Sequence, residues 1–394
     1  MEKKFRFHSP HYFSKHPTRG MRGLYWSVGL KDLGIAAVTL FEPIFLFSLG
    51  YSLREVLFFY IMIYGLYIVL LPPVGRLVGK LGYEHSILYS QFFLIAYLVA
   101  LFSISKVAAL FYVAPLLCAA YKSLYWPAYH ADFALFSRKG QRGREVGYIE
   151  TLSMIVYIIG PLIGGVLLEW AGFEVLFIVG SVLFILSALP LMQIREIHAK
   201  IELPYGTIFR RLVDPQHSRN FFLYLGFGEE LIVLTVWPIF IYVVVQDYLE
   251  VGALVAVATF VTSLIVLYLG KISDEQGRLK ALRLGTALYA FSWLVRGFAK
   301  NVWQVMSLDS VSRISKEMLL VPLEASMYSA AREHGPLVHA IFFELSLSIG
   351  KLIAAAGALI IAAFVDPPWV PIFFMSGAFS LVYLLFRKRE DCNQ

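Results

Sequence analysis

The chain has 394 residues, of which 59% are hydrophobic and only 15% charged. Soluble domains carry roughly 25% charged residues, so a large soluble protein is excluded. Net charge is +7, and the two cysteines, Cys118 and Cys392, form neither a disulfide framework nor a metal spacing.

In chain order, Met1 to Gly23 is polar and basic, without the apolar core of a signal peptide. The first span is therefore expected to insert uncleaved. His8, His11 and His16 lie in this tail with no acid or cysteine completing a site, which predicts a solvated segment. Apolar runs near the roughly 20 residues needed to cross a bilayer then recur. In the first half they are Trp26–Leu49, Val56–Val74, Ile87–Ile104, Val107–Phe136, Val146–Glu169 and Gly172–Met192. In the second half they are Phe221–Val245, Val251–Gly270, Ala281–Ala299, Val302–Ala331, Leu337–Val365 and Val370–Phe386. This predicts an all-α integral membrane protein of twelve transmembrane helices. Residues 1–193 form one six-helix bundle, 194–220 a cytoplasmic linker, and 221–394 a second bundle. The linker carries Pro204 and Pro215, and its amphipathic stretch Thr207–Val213 predicts a short helix on the membrane surface.

The two halves repeat one plan. Pro43-Ile44-Phe45 returns as Pro238-Ile239-Phe240, Gly75 as Gly270 and Pro127 as Pro322, each 195 residues later. Glu150 returns as Glu344 after 194 residues. A duplicated apolar bundle places a substrate site between its halves. Basic residues set the orientation. With the N-terminus inside, 25 of the 34 fall in cytoplasmic segments and three, Arg54, Lys106 and Lys300, in outer loops. That asymmetry fits the positive-inside rule and puts both termini in the cytoplasm. The positive charge is then a topological signal, and no nucleic-acid partner is needed to explain it.

The turn after the eighth span reads Gly270-Lys271-Ile272-Ser273-Asp274-Glu275-Gln276-Gly277-Arg278. It resembles the G-x-x-x-D-R-x-G-R signature of the major facilitator superfamily. The first-half copy, Gly75-Arg76-Leu77-Val78-Gly79-Lys80-Leu81-Gly82-Tyr83, keeps the glycines but has Gly79 where the family has an acid. The resemblance implies that the acid helps close the inner gate. Its absence weakens a first-half lock, whereas Asp274 can cap the fifth span. That span carries Gly160-Pro161-Leu162-Ile163-Gly164-Gly165, similar to an element of the family's antiporters, with Val156 where its first glycine stands. Tight helix packing by small residues is the competing explanation. The resemblance covers the whole chain and implies a cavity lined by the first, fourth, seventh and tenth helices. It is nearly silent on substrate.

Ionisable residues at membrane depth need a partner or water. In the tenth span Asp309, Arg313, Lys316 and Glu317 share one helical face, so they are expected to face a wet cavity. Lys122 lies 195 residues before Glu317. Repeat symmetry therefore predicts a Lys122–Glu317 bridge, either structural or broken during a transport cycle. Asp32, Glu42 and Glu229 join Asp309 and Glu317 as proton-coupling candidates. Only one of the adjacent Glu229 and Glu230 is expected to face the cavity. Tyr121, Lys122, Tyr125, Arg313 and Lys316 are the substrate-cavity candidates. The aromatic pair can stack on a flat or cationic ligand or simply pack. Arg296 and Lys351 are expected to be buried partners of acids, and His130 with Asp132 a weaker proton relay. Glu150 and Glu344 are expected to favour helix starts through the dipole.

No nucleotide loop, nucleophile triad or metal motif is present, so neither an enzyme nor a cofactor is expected. The sequence predicts a monomeric secondary transporter in the cell membrane, taking a small-molecule substrate and protons. Efflux by antiport is favoured on the glycine-proline element alone. Uptake of a small polar or anionic solute by symport is the alternative. A non-transporting sensor or assembly factor on the same scaffold is a third reading, supported by Gly79.

Overall fold

The computed structural model describes residues 19–136, 142–191, 209–212, 214–269 and 275–385. Among these every regular element is helical. A backbone without water must satisfy its hydrogen bonds within each segment, which favours this outcome.

The first span is two helices, α1 (Arg19–Thr39) and α2 (Glu42–Ser48). Spans two to four are α3 (Leu53–Leu81), α4 (Tyr83–Ser103) and α5 (Leu110–Phe136). Spans five and six run as α6 (Arg142–Leu191), divided at Gly172. The seventh span is α7 (Pro215–Leu225), a 3₁₀ turn at Gly226–Gly228, α8 (Glu229–Leu234) and α9 (Val236–Val245). Then follow α10 (Tyr248–Leu269), α11 (Glu275–Arg296), α12 (Val302–His334) and α13 (Pro336–Phe364). The twelfth span is α14 (Trp369–Ser380) with a 3₁₀ turn at Leu381–Leu385. The described helices thus form twelve successive rods, and six stretches among the described residues are long and apolar enough to cross a membrane on those criteria alone. The chain is an integral, multi-pass membrane protein. Large apolar side chains such as Trp26, Phe92 and Phe364 are left exposed on its flanks, as lipid contact requires.

Helix ends follow local chemistry. Ser52 and Glu55 form a capping box at the start of α3. Asn301 accepts the Gln304 N–H at 3.0 Å to start α12. Gly82 alone separates α3 from α4, at φ 92 and ψ 164. A side chain would strain that conformation, so glycine makes the reversal possible without a loop. Gly172, at φ 76, does the same between spans five and six.

The 195-residue repeat reappears as broken helices. The first span breaks at residues 40–41 and the seventh at Thr235, just before Pro43 and Pro238. Pro43 and Pro238 lack the amide hydrogen that a continuous helix would use.

Several expectations fall outside the described residues. These are the N-terminal histidines, Gly270, Asp274, Cys392 and most of the linker. Gly277, Arg278 and Glu150 are in helices, but their side chains are not described. Of the expected surface helix Thr207–Val213, the described residues 209–212 are helical.

Candidate functional site at the seam between the halves

The halves touch chiefly along two pairs of helices, with smaller contacts of span four on spans ten and eleven and of span one on span seven. At the end of the bundle carrying residues 81 and 136, here the near end, span two packs on span eleven. A Cβ on Gly75 would lie 2.5 Å from Ile341 Cδ1. At the opposite, far end, span five packs on span eight. A Cβ on Gly252 would lie 2.3 Å from the Pro161 carbonyl oxygen, and one on Gly165 2.7 Å from the Tyr248 carbonyl oxygen. Gly160 meets Ala36 and Ala37 of span one, and Gly164 meets Ala37 and Phe41. The glycine-proline element therefore lets spans one, five and eight approach closely.

Polar groups meet along the span two–eleven seam. Tyr67 Oη donates to Glu344 Oε2 at 2.9 Å, and His130 Nε2 lies 3.0 Å from Glu344 Oε1. Glu344 thus clasps spans two and four from the other half. Pro336 starts its helix eight residues earlier, so Glu344 lies about 12 Å inside it. The dipole role expected for Glu344 is therefore overturned, because dipole effects fade within the first turn.

Deeper, at mid-depth, the ring of Tyr64 has Lys122 Nζ 5.4 Å from its centroid and Lys351 Nζ at 5.5 Å. Lys122 comes from the first half and Lys351 from the second. Lys351 is paired with Glu230 at 3.0 Å. Glu230 is the acid nearer the seam. Glu229 is fully buried in the second half, held by Lys316, Tyr289 and Tyr383. The 3₁₀ turn at Gly226–Gly228 precedes both acids and shifts their rotation from that of a continuous helix.

The Lys122–Glu317 bridge is not formed. Each residue lacks an ion pair or hydrogen bond among the described residues. Repeat symmetry equates their depth but does not make them face each other. The stripe on span ten also divides. Asp309 accepts from Arg313 Nε at 2.6 Å and from Trp237 Nε1 at 2.8 Å, with Arg296 Nη2 at 3.5 Å. Arg296 is buried between the rings of Trp237 and Trp293, 4.2 and 4.1 Å from their centroids. Lys316 turns instead to Glu229 and, at 3.5 Å, to Glu230.

In the first half, Asp32 pairs with Lys31 at 2.9 Å and accepts from Ser153 at 2.8 Å. Lys31 also hydrogen-bonds Tyr125 and sits 4.1 Å from its ring centroid. Tyr121, Tyr125 and Tyr129 form a stacked ladder beside it, with centroids 5.5 and 5.6 Å apart. Tyr125 is thus engaged by Lys31, one side of the ladder being already taken. Glu42 opens α2 at the break in span one and accepts from Tyr60 at 2.7 Å. No cation lies within 4 Å of it among the described residues.

Sequence reasoning missed Tyr64, Tyr67 and the position of Glu230. Their signal lay in spacing: Tyr64 and Tyr67 are three residues apart on span two, and Glu344 and Lys351 seven apart on span eleven. Each pair shares a helical face.

A bundle of helical rods with repeated breaks and a polar seam defines a duplicated, membrane-embedded carrier scaffold. The Major Facilitator Superfamily matches the sequence over residues 24–225, and the chain belongs to that family. Among solved structures, the nucleoside transporter NupG superposes with a TM-score of 0.67 at 11% identity, over 93% of this chain and 98% of that one. A mutant of NupG gives 0.70 at 12% identity, over 93% and 100%. Identity this low shows a shared fold. No curated protein matches the sequence.

Proposed function

We propose that this chain is a secondary transporter that carries a small solute through the cell membrane by alternating access. The bodies that rock are residues 1–193 and 221–394, with the near end facing the cytoplasm. One observation carries the reading. Tyr64 and Lys122 meet Lys351 and Glu230 from the other half at mid-depth. A solute held there touches both bodies, so its binding can bias their relative position.

Protons supply the energy in this reading. Asp32, Glu229 and Asp309 are each matched by a basic side chain. Glu42 and Glu317 have no cation within 4 Å among the described residues, so uncompensated charge at depth is least tolerable there. They are the preferred proton carriers.

Efflux by antiport remains the first reading of direction. Uptake by symport is favoured by a separate observation, Lys122 without an ion-pair partner among the described residues. Proteoliposomes enclosing a pH-reporting dye distinguish the two. A panel of organic anions, nucleosides, sugars, amino acids and lipophilic cations is added outside. Solute-triggered outward proton movement supports antiport, and inward movement supports symport. No proton movement with any solute, together with no solute counterflow, would overturn the transport reading in favour of a sensor.

A further inference from the structure

We propose that Lys122 is the docking group for an anionic head, a carboxylate or phosphate, on the transported solute; this rests on the transport reading above. Inside the bundle, the other basic side chains of the polar clusters are matched by acids. Lys31 has Asp32 at 2.9 Å, Arg313 and Arg296 share Asp309 at 2.6 and 3.5 Å, and Lys351 has Glu230 at 3.0 Å. Lys316 is held by Glu229. Lys122 has only the face of Tyr64, 5.4 Å away, among the described residues. A cation–π contact recovers less than the cost of holding an ionised lysine at mid-membrane. The ring therefore leaves part of that cost unmet.

The two acids nearest in electrostatic reach do not close the gap. Glu42 is engaged by Tyr60, and Glu344 by Tyr67 and His130, and neither is within 4 Å of the Lys122 ammonium. The excess positive charge lies where the halves meet, since Lys351 flanks the same Tyr64 ring from the second half. Lys351 is paired with Glu230, whereas Lys122 is the cation at this seam with no acid within 4 Å among the described residues. A singly charged anion balances it and gains a contact to each half. A cationic solute would add to the repulsion. A neutral solute would leave Lys122 unmatched.

The test uses the full-length chain purified in detergent, with benzoate and phenyl phosphate as anionic probes. Benzamide serves as the neutral isostere of benzoate, and tetraphenylphosphonium as the cation. The expected result is an unfolding midpoint raised by several degrees with an anionic probe and unmoved by benzamide. Lys122→Gln abolishes the shift and Lys122→Arg retains most of it. Wild-type protein gives a second readout that does not depend on a variant folding. The bound anion should protect Lys122 from reductive methylation, measured by peptide mass spectrometry. A shift that survives in Lys122→Gln, or no shift and no protection with either anion, overturns the proposal. Counterflow in proteoliposomes separates the two levels. Anion binding through Lys122 without counterflow keeps the site and removes transport. Counterflow of a neutral solute without anion binding keeps transport and removes the site.

Discussion

The two halves share a backbone plan but not a distribution of charge. Both break their leading span at positions 195 residues apart, and both use single glycines as reversals, Gly82 in the first and Gly335 in the second. Inside the second half, Glu229, Glu230, Lys316 and Lys351 form one network, and Asp309, Arg296, Arg313 and Trp237 another. Among the described residues, the first half shows Lys31 paired with Asp32, while Glu42 and Lys122 have no ion-pair partner. The repeat fixes depth and shape, while charge has diverged. Lys122 stands where the second half has Glu317, and Glu42 where it has Trp237. A closed network ties its helices together. An open charge is available to a ligand or a proton. Among the described residues the second half therefore holds the larger closed networks, with Glu317 as its own acid outside them.

The largest effect should come from the closed network. Asp309→Asn leaves Arg296 buried with a weaker partner and should destabilise the protein by ~3–5 kcal/mol. Thermal unfolding measures it, and an unchanged midpoint would remove the contrast between the halves. Next is Gly252→Ala, whose methyl would enter the Pro161 carbonyl across the far-end contact. Overpacking of this kind should lower stability by ~1–3 kcal/mol and hold the halves apart at that end. Glu344→Gln keeps the shape of the clasp on Tyr67 and His130 but removes its charge. It should weaken the clasp by ~1–2 kcal/mol, read as faster labelling of near-end cysteines introduced into spans two and eleven. The smallest effect on stability should be Lys122→Gln. Removing an unpaired charge from mid-depth should leave the unliganded midpoint unchanged or raise it. A drop comparable to that of Asp309→Asn would show that Lys122 is a structural cation after all.

Much of the fold was legible because membrane burial writes itself into composition. The span boundaries and the 195-residue repeat follow from apolar run length; of the glycines expected in the first-half turn, Gly82 makes the reversal while Gly75 and Gly79 lie inside α3. The breaks in spans one and seven were also signalled, by Pro43 and Pro238 at matching positions. The site was less legible, because rotational phase decides which side chain faces the seam. An irregular turn at Gly226–Gly228 sets that phase for Glu229 and Glu230, and no periodic count across it gives the answer. Lys122 and Glu317 show the same limit from the other side: symmetry predicted equal depth, yet the two residues do not meet. A helix-start role for Glu344 conflicts with a span that begins near Leu337. Its partners Tyr67 and His130 lie 277 and 214 residues away in sequence, beyond any local pattern.

The central claim is that the halves rock about the mid-depth seam. Paired spin labels on a cysteine-free background test it most directly, one pair at the near end on Lys80 and Arg283, another at the far end on Arg54 and Lys300. All four positions are exposed. Distances would be measured by pulsed electron resonance at acidic and alkaline pH, with and without the anionic probe. The account predicts that the near-end and far-end distances change in opposite senses, and that Glu317→Gln removes their pH dependence. Distances that stay fixed under every condition, or that move in the same sense, would contradict it.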